Sequence, residues 1–358
     1  MKIRNREKTE SLRFDDISYF RYTDREEEHG RGEAVITEGR SRRIIRDYPH
    51  ICRVFRLGEG VRRYFGRGPF YAEEKLDGYN IRIVRHRGRL LAVTRGGIIC
   101  PFTTEWAEFW RAGYRFDEFF NERPMASLCA EIMGDSPYNS KRYEFVPPGL
   151  SFFCFDIMNS DGTFLPVEEK YSVFSRLGFP CVPRLGRFTA DDMDSLRSIV
   201  LDLNSRGREG LVLKSPESGR AIKFVTAESD LADLELFMMY YYDIEPGFYS
   251  SRILRVTLFA QEFGLDQGEY AGRLGSAIMT GYGGLRDYEG SFEKFTVYAH
   301  SPRSWELIKR VILKHADIVD EEPSPENVNG VPLYRILFRR KHRKSSQRFR
   351  EIITGHEE

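Results

Sequence analysis

Residues 73–95 read EEKLDGYNIRIVRHRGRLLAVTR, and the way this stretch folds decides what its one lysine, Lys75, is for. YNIRIVRH and RLLAVTR are β-prone runs that meet at Arg87-Gly88, where a two-residue turn would close a hairpin. Such a turn pairs residues whose numbers sum to 175 and sets Asn80 opposite Arg95. An amide and a guanidinium then stand at the same end of the hairpin as Lys75, where a phosphate can be gripped bidentately. Taken alone, a lysine before Asp77-Gly78 reads more simply as a surface ammonium beside a turn, so its surroundings must decide.

Downstream, SLCAEIM, LSFFCFDIM, EGLVLK and AIKFVT are further short β-prone runs, separated by Gly, Pro and helical insertions. The pattern predicts an α+β fold with antiparallel sheets from Phe70 to about Thr226. Two of these runs carry a single acid in an apolar setting, Glu131 in SLCAEIMG and Glu209 at the head of EGLVLK, as expected of acids that face a cleft. Two carboxylates suffice for Mg²⁺, which completes its shell with water and substrate phosphates. Alternation in LSFFCFDIM puts Phe153, Phe155 and Ile157 on one face and Cys154, Asp156 and Met158 on the other. Core packing is the ordinary reading of Phe155. Lys223, between Ile222 and Phe224, would be poorly solvated as a decorative charge.

A nucleophile, two acids for a metal, cations for phosphates and an aromatic for a base are the parts of a nucleotidyl transferase. Attack by lysine needs the neutral amine, so the free pKa of about 10.4 should be lowered by burial and a nearby cation or metal. Competing nucleotide motifs are missing: there is no GxxxxGK[ST], HExxH or GxSxG, and the GYGG near Tyr282 lacks the strand and helix of a dinucleotide loop.

The 358-residue chain has 55 Lys+Arg against 54 Asp+Glu, so no global basic field advertises nucleic acid. Cys52, Cys100, Cys129, Cys154 and Cys181 include no CxxC spacing, which predicts reduced thiols and no zinc site. With no apolar leader in MKIRNREKTESLRF and no membrane-spanning run, the expected location is the cytoplasm, with no membrane partner. The first 69 residues read as a small charged module with strand-like pieces such as AVIT. ESDLADLELFMMYYYDI and FYSSRILRVTLFAQEFG predict two helices, and the apolar Leu254, Leu258 and Phe263 fit either a second subunit or their own domain equally well. The last part reads as strand KFTVYA, a helix capped by Ser301 before Pro302, an acidic Pro-containing loop and strand PLYRILF, then RRKHRKSSQRFR, a run that is most often a solvated tail but is also the one place where basic charge is dense enough to grip phosphates.

The order of motifs resembles the covalent nucleotidyltransferase superfamily of ligases and capping enzymes. KLDGYN is similar to its motif I, TRGG to Ia, AEIMG to III, FFCFDIM to IIIa, EGLVLK to IV and AIKFV to V, covering Tyr71 to Thr226. Asn80 after KLDGY is closer to RNA ligases than to DNA ligases, and the layout resembles the homodimeric archaeal ATP-dependent RNA ligases. That resemblance implies an ATP-grasp-like transferase domain (70–228) between an N-terminal module (1–69) and a helical dimerisation domain (229–290), with a small α/β C-terminal domain (291–358). It implies ATP and Mg²⁺ (or Mn²⁺), an RNA partner with 5′-phosphate and 3′-hydroxyl ends joined between or within molecules, and a homodimer. Lys75 would become lysyl-N-AMP and Glu73 would contact the adenine amine. Asn80 and Arg95 would lie near ribose and phosphates, Glu131 near ribose or metal-bound water, and Phe155 against adenine. Glu209 would hold the metal through water and Lys223 would contact the α-phosphate. Two departures stand out: Ala221 occupies the first lysine position of motif V, with Lys214 or Arg220 as candidates to compensate, and no motif VI like that of DNA ligases is present. The alternatives are a DNA ligase, a polynucleotide 5′-adenylylating enzyme, and an RNA-binding protein with an inactive transferase domain.

Overall fold

The computed structural model describes residues 8–355 apart from positions 27, 40, 142, 144 and 329. Strands β1 (Thr9–Phe14), β2 (Ile17–Tyr22), β3 (Ala34–Glu38) and β4 (Ser41–Ile45) form an antiparallel sheet in chain order. After it come β5 (Cys52–Arg53), α1 (Leu57–Phe65), β6 (Phe70–Lys75), β7 (Tyr79–His86), β8 (Arg89–Thr94), α2 (Pro101–Arg111), α3 (Phe116–Glu122), β9 (Ser127–Gly134) and β10 (Leu150–Met158). Next are α4 (Val167–Leu177), β11 (Arg184–Phe188), α5 (Met193–Ser205), β12 (Gly210–Lys214) and β13 (Ala221–Val225). These strands sort into two sheets, β10-β9-β7-β8 and β11-β6-β12-β13-β5.

The β7-β8 hairpin has the expected register, from Ile81 with Thr94 to His86 with Arg89. Its turn needs left-handed backbone at both central positions, and Arg87 and Gly88 adopt φ of 49° and 76°. In the second sheet, Phe70, Ala72, Leu211, Leu213, Ile222 and Phe224 point into one apolar core with α5 and the helices that follow. Period-two alternation therefore sends Tyr71, Glu73 and Lys75, with Val212, Lys214 and Lys223 in register beside them, to the opposite face. That face, turned toward the first sheet, carries the site.

Helices α6 (Ala227–Phe237), α7 (Pro246–Phe263) and α8 (Gln267–Gly281) form a helical layer. The third was not expected, because Gly268, Gly272 and Gly275 dilute its helical signal. Val256, Phe259 and Ala260 of α7 are buried, while Ile253 and Leu254 are exposed. The chain ends with β14 (Phe292–Ala299), α9 (Pro302–Val311), β15 (Asp317–Val328), β16 (Val331–Lys341) and α10 (Arg343–Ile353), the strands ordered β14-β16-β15. The Ser301 hydroxyl accepts from the Ser304 N–H at 3.1 Å, the cap expected for α9.

Two expectations for this region are corrected. The acidic loop is an edge strand: Pro323 and Pro325 share a parity and sit on β15, whose outer side has no partner strand, so their missing N–H groups break no ladder. The basic tail is folded rather than solvated. Arg339 and Arg340 pair with Asp320 and Glu293, and Phe349 of α10 is buried edge-on against Tyr242, Tyr282 and Tyr288. Asp243 accepts from the Ser345 N–H at 2.7 Å at the helix start, where a carboxylate is favoured. Among the described residues, no helix is long and apolar enough to cross a membrane.

Candidate active site

Lys75 closes β6, and its Nζ donates to Glu209 Oε2 at 2.6 Å, just before β12 begins. The register explains the contact, since Gly210 lies opposite Lys75. Gly210 has φ of 147°, and a Cβ there would come within 2.1 Å of the Phe224 carbonyl oxygen, so only glycine lets the two strands close. Gly78 is required for a similar reason: its Cβ would lie 2.2 Å from the Ile132 carbonyl oxygen. Its N–H donates to Glu131 Oε1 at 3.1 Å, fastening the loop after Lys75 to β9.

A cavity of about 560 Å³ opens beside Lys75, and Glu73, Asn80, Arg95, Glu131, Phe155 and Lys223 all line it. Every residue singled out from sequence is therefore gathered here, with Glu209 held against Lys75. One acceptor in this group, Asn80 Oδ1, is buried without a hydrogen-bond donor among the described residues, as expected of an atom that awaits a polar ligand.

Phe155 reaches the cavity by a route that alternation did not foresee. β10 carries a bulge between Cys154 and Asp156, so Phe155 has no partner on β9 and the side-chain pattern shifts beyond it. Ile157 consequently packs in the same core as Phe152 and Cys154 instead of sharing a face with Phe155, which corrects the expected faces. Phe155 lies edge-on to Tyr48 at 5.3 Å and half-open to the cavity.

The bulge also aims Asp156 into a buried charge cluster beneath the cavity. Lys170 of α4 donates to Asp156 Oδ1 at 2.8 Å and its Nζ is 2.7 Å from Glu73 Oε1. Lys214 Nζ lies 2.9 Å from Asp156 Oδ2 and 2.7 Å from Glu73 Oε2, and the Tyr48 hydroxyl donates to Asp156 at 2.6 Å. Two acids and two ammoniums are thereby balanced out of water. Burial opposes ionisation of Asp156, but Lys170 and Lys214 outweigh it and hold the carboxyl below its ordinary value. Lys170 was missed in the sequence because VEEKYSVF reads as an ordinary charged helix face.

The charges around Lys75 act against the expected direction. Burial pulls its pKa down, yet Glu209, Glu131 and Asp77 together push it above the ordinary lysine value, so the ammonium is the resting form. Burial drives Glu131 up to about 7 against the pull of Lys75, with Glu209 and Asp77 adding to the rise. Burial raises Glu209 as well. Lys223 goes the other way, down to about 8, through burial and then Arg53, Lys75 and Arg95. Asp77 is anchored elsewhere, accepting from Lys141 at 3.1 Å and from the Tyr143 hydroxyl. Lys141 also pairs with Asp233 of α6, tying the loop to the helical layer.

Residues 68–225 match the RNA ligase family model. An uncharacterized protein of Methanocaldococcus jannaschii is 32% identical over 246 residues, which span 66% of this chain and 61% of that relative, less than two thirds of its length. Among solved structures, a candidate ATP-dependent DNA ligase from Aquifex aeolicus is 28% identical with a TM-score of 0.87, covering 98% of this chain and 96% of that one. Two forms of an archaeal ATP-dependent RNA ligase are each 26% identical, with TM-scores of 0.86 and 0.85. They cover 97% and 98% of this chain and 93% and 94% of their own.

Proposed function

From the match of residues 68–225 to the RNA ligase family model, we propose that this chain is an ATP-dependent RNA ligase. The observation that carries the reading is Lys75 Nζ, 2.6 Å from Glu209, at the edge of a cavity that also gathers Lys223, Arg95 and Phe155. Lys75, once neutral, attacks the α-phosphorus of ATP: a nitrogen–phosphorus bond forms, the bond to the bridging oxygen breaks, pyrophosphate leaves with the electron pair and the amine sheds a proton. The AMP passes from Lys75 to an RNA 5′-phosphate. An RNA 3′-hydroxyl then attacks that phosphate, forming the phosphodiester and releasing AMP and a proton. Lys223 and Arg95 stand where charge accumulates on the phosphates, the kind of electrostatic assistance on which phosphoryl transfer depends. Asn80 Oδ1 offers an acceptor to the sugar, Glu73 lines the cavity where the adenine amine would lie, and Phe155 offers a face to the base.

Glu209 and Glu131 fit a divalent cation, being buried acids that both resist ionisation in the protein alone. Among the described residues no three His, Cys, Asp or Glu side chains form a complete cage, which suits an ion shared with phosphates and water. When bound, Mg²⁺ or Mn²⁺ supplies positive charge that offsets the acids holding Lys75 protonated.

Incubation with labelled ATP and Mg²⁺ should label the wild type covalently and leave Lys75→Ala unlabelled; equal labelling of both would refute the nucleophile. The Aquifex aeolicus neighbour favours a second reading, a DNA ligase, and a protein that efficiently seals only nicked DNA and not single-stranded RNA ends would establish it. An enzyme that stops at the adenylylated end would accumulate that product without joining, and an inactive RNA-binding relative would bind RNA without lysyl-AMP.

Three further readings belong to the proposal. The exposed Ile253 and Leu254 on α7 support a homodimer, which a monomeric mass by light scattering at micromolar concentration would remove. The chain divides near residues 69, 228 and 290 into four units, with β5 reaching across the first boundary to pair with β13. Five free cysteines support a reducing compartment such as the cytoplasm.

A further inference from the structure

Ala221 leaves the phosphate end of the site one cation short, and neither expected substitute makes up for it. Lys214 lies opposite Ala221 on the same face, but its charge is consumed by Glu73 and Asp156. The Arg220 guanidinium is engaged elsewhere, donating to the Tyr64 carbonyl at 2.8 Å.

The missing cation comes from the segment ahead of the transferase strands. β5 pairs parallel with β13, placing Arg53 in register with Lys223, and the Val54 N–H donates to the Lys223 carbonyl at 2.9 Å. Paired residues on adjacent strands project to the same face, so Arg53 stands beside Lys223 on the face of the site. The row across the sheet is Glu73, Val212, Lys223, Arg53. With strands about 4.8 Å apart, Lys223 lies roughly 10 Å and Arg53 roughly 14 Å from the Glu73 end. A nucleotide with its base at Glu73 and its α-phosphate between Lys75 and Lys223 therefore runs its remaining phosphates toward Arg53. Arg53 is also the strongest charge acting on Lys223, and burial, then Arg255, Asp230 and Glu209, act on Arg53 itself. Arg53 makes no hydrogen bond or ion pair among the described residues.

We infer that Arg53 holds the β- and γ-phosphates of ATP while Lys75 attacks the α-phosphorus, and retains the pyrophosphate as the bridging oxygen leaves with its electron pair. This rests on the reading of Lys75 as the AMP acceptor.

The test uses the full chain and both directions of the first step. In Arg53→Ala, the ATP concentration for half-maximal lysyl-AMP formation should rise about tenfold, the scale of one lost charge-assisted contact. The pyrophosphate concentration needed to regenerate ATP from the AMP-loaded protein should rise by a similar factor. Arg53→Lys should recover part of both. Sealing of RNA already carrying a 5′-adenylate, in which no pyrophosphate takes part, should change less than twofold. Unchanged ATP and pyrophosphate dependences, or an equal loss in the sealing step, would overturn the assignment, and Arg53→Gln repeats the measurement with most of the side-chain stem kept. Absence of lysyl-AMP in the wild type would instead refute the proposed function.

Discussion

Replacing Lys170 by Met removes one ammonium from a cluster of four buried charges. Lys170 is fully buried and touches Asp156 and Glu73 at 2.8 and 2.7 Å, so the variant leaves two carboxylates sharing Lys214 alone. Breaking a buried ion pair by deleting one partner costs about 3–5 kcal/mol, because the survivor cannot return to water. At roughly 2–4 °C per kcal/mol for a unit of this size, the transition of the transferase region should fall by about 6–20 °C. The pH dependence gives the mechanism. In the wild type, Asp156 is held below its ordinary value, so its contribution persists at mildly acid pH. In the variant the surplus carboxylate has a folded pKa above its unfolded value, so the penalty is full at neutral pH and shrinks as pH falls through the raised folded value. The gap between the two proteins should therefore narrow from pH 7 to pH 5. Adding Asp156→Asn to Lys170→Met should recover stability relative to the single variant by restoring charge balance. Thermal melts followed by circular dichroism and tryptophan fluorescence provide the measurement. A shift below about 3 °C, or a gap that widens toward pH 5, would refute the account of a balanced buried cluster.

Lys223, at about 8 in the free protein, loses its charge as pH rises through that value, so half-saturation for ATP should weaken above pH 8. Lys223→Arg, which stays charged, should flatten that rise, and a profile identical to wild type would exclude Lys223 as its source. Gly78→Ala forces a Cβ against the Ile132 carbonyl and displaces the loop after Lys75; lysyl-AMP formation should drop about 100-fold, measured in a single turnover, and near-normal rates would show that the loop can move freely.

What the sequence disclosed follows from which signals are local. The hairpin register could be read because Arg87-Gly88 fixes it within two residues, and Lys75, Glu131, Glu209 and Lys223 stood out as charges inside apolar strands. Phe155 does line the cavity, but the face assigned to it is one that the bulge abolishes, since nothing in FFCFDIM marks an extra residue. The edge strand with two prolines and the basic terminal helix were misread because composition masked them. Proline argues against a strand unless the edge is known, and the charges around Phe349 obscure a helix whose buried positions are mostly serine. Arg53 was invisible for another reason: a two-residue strand has no periodicity, and its partner lies far along the chain.

The direction of the Lys75 shift alters how the site should be understood. Burial alone would have favoured the neutral amine that attack requires, yet Glu209, Glu131 and Asp77 more than cancel it. Two of those acids are the ones suited to a divalent cation, so the groups that keep the lysine protonated in the protein alone are those whose charge the cation would neutralise. On the proposed reading, activation of Lys75 would be coupled to arrival of the metal with its phosphates, and the amine would stay unreactive until the substrate is present. This coupling predicts that raising pH without metal cannot substitute for it: lysyl-AMP should stay at background from pH 7 to 9 with ATP and a chelator, because the three carboxylates remain and hold the ammonium. Substantial labelling at pH 9 without divalent cation would show that deprotonation alone suffices and would sever the link between the acids and the nucleophile.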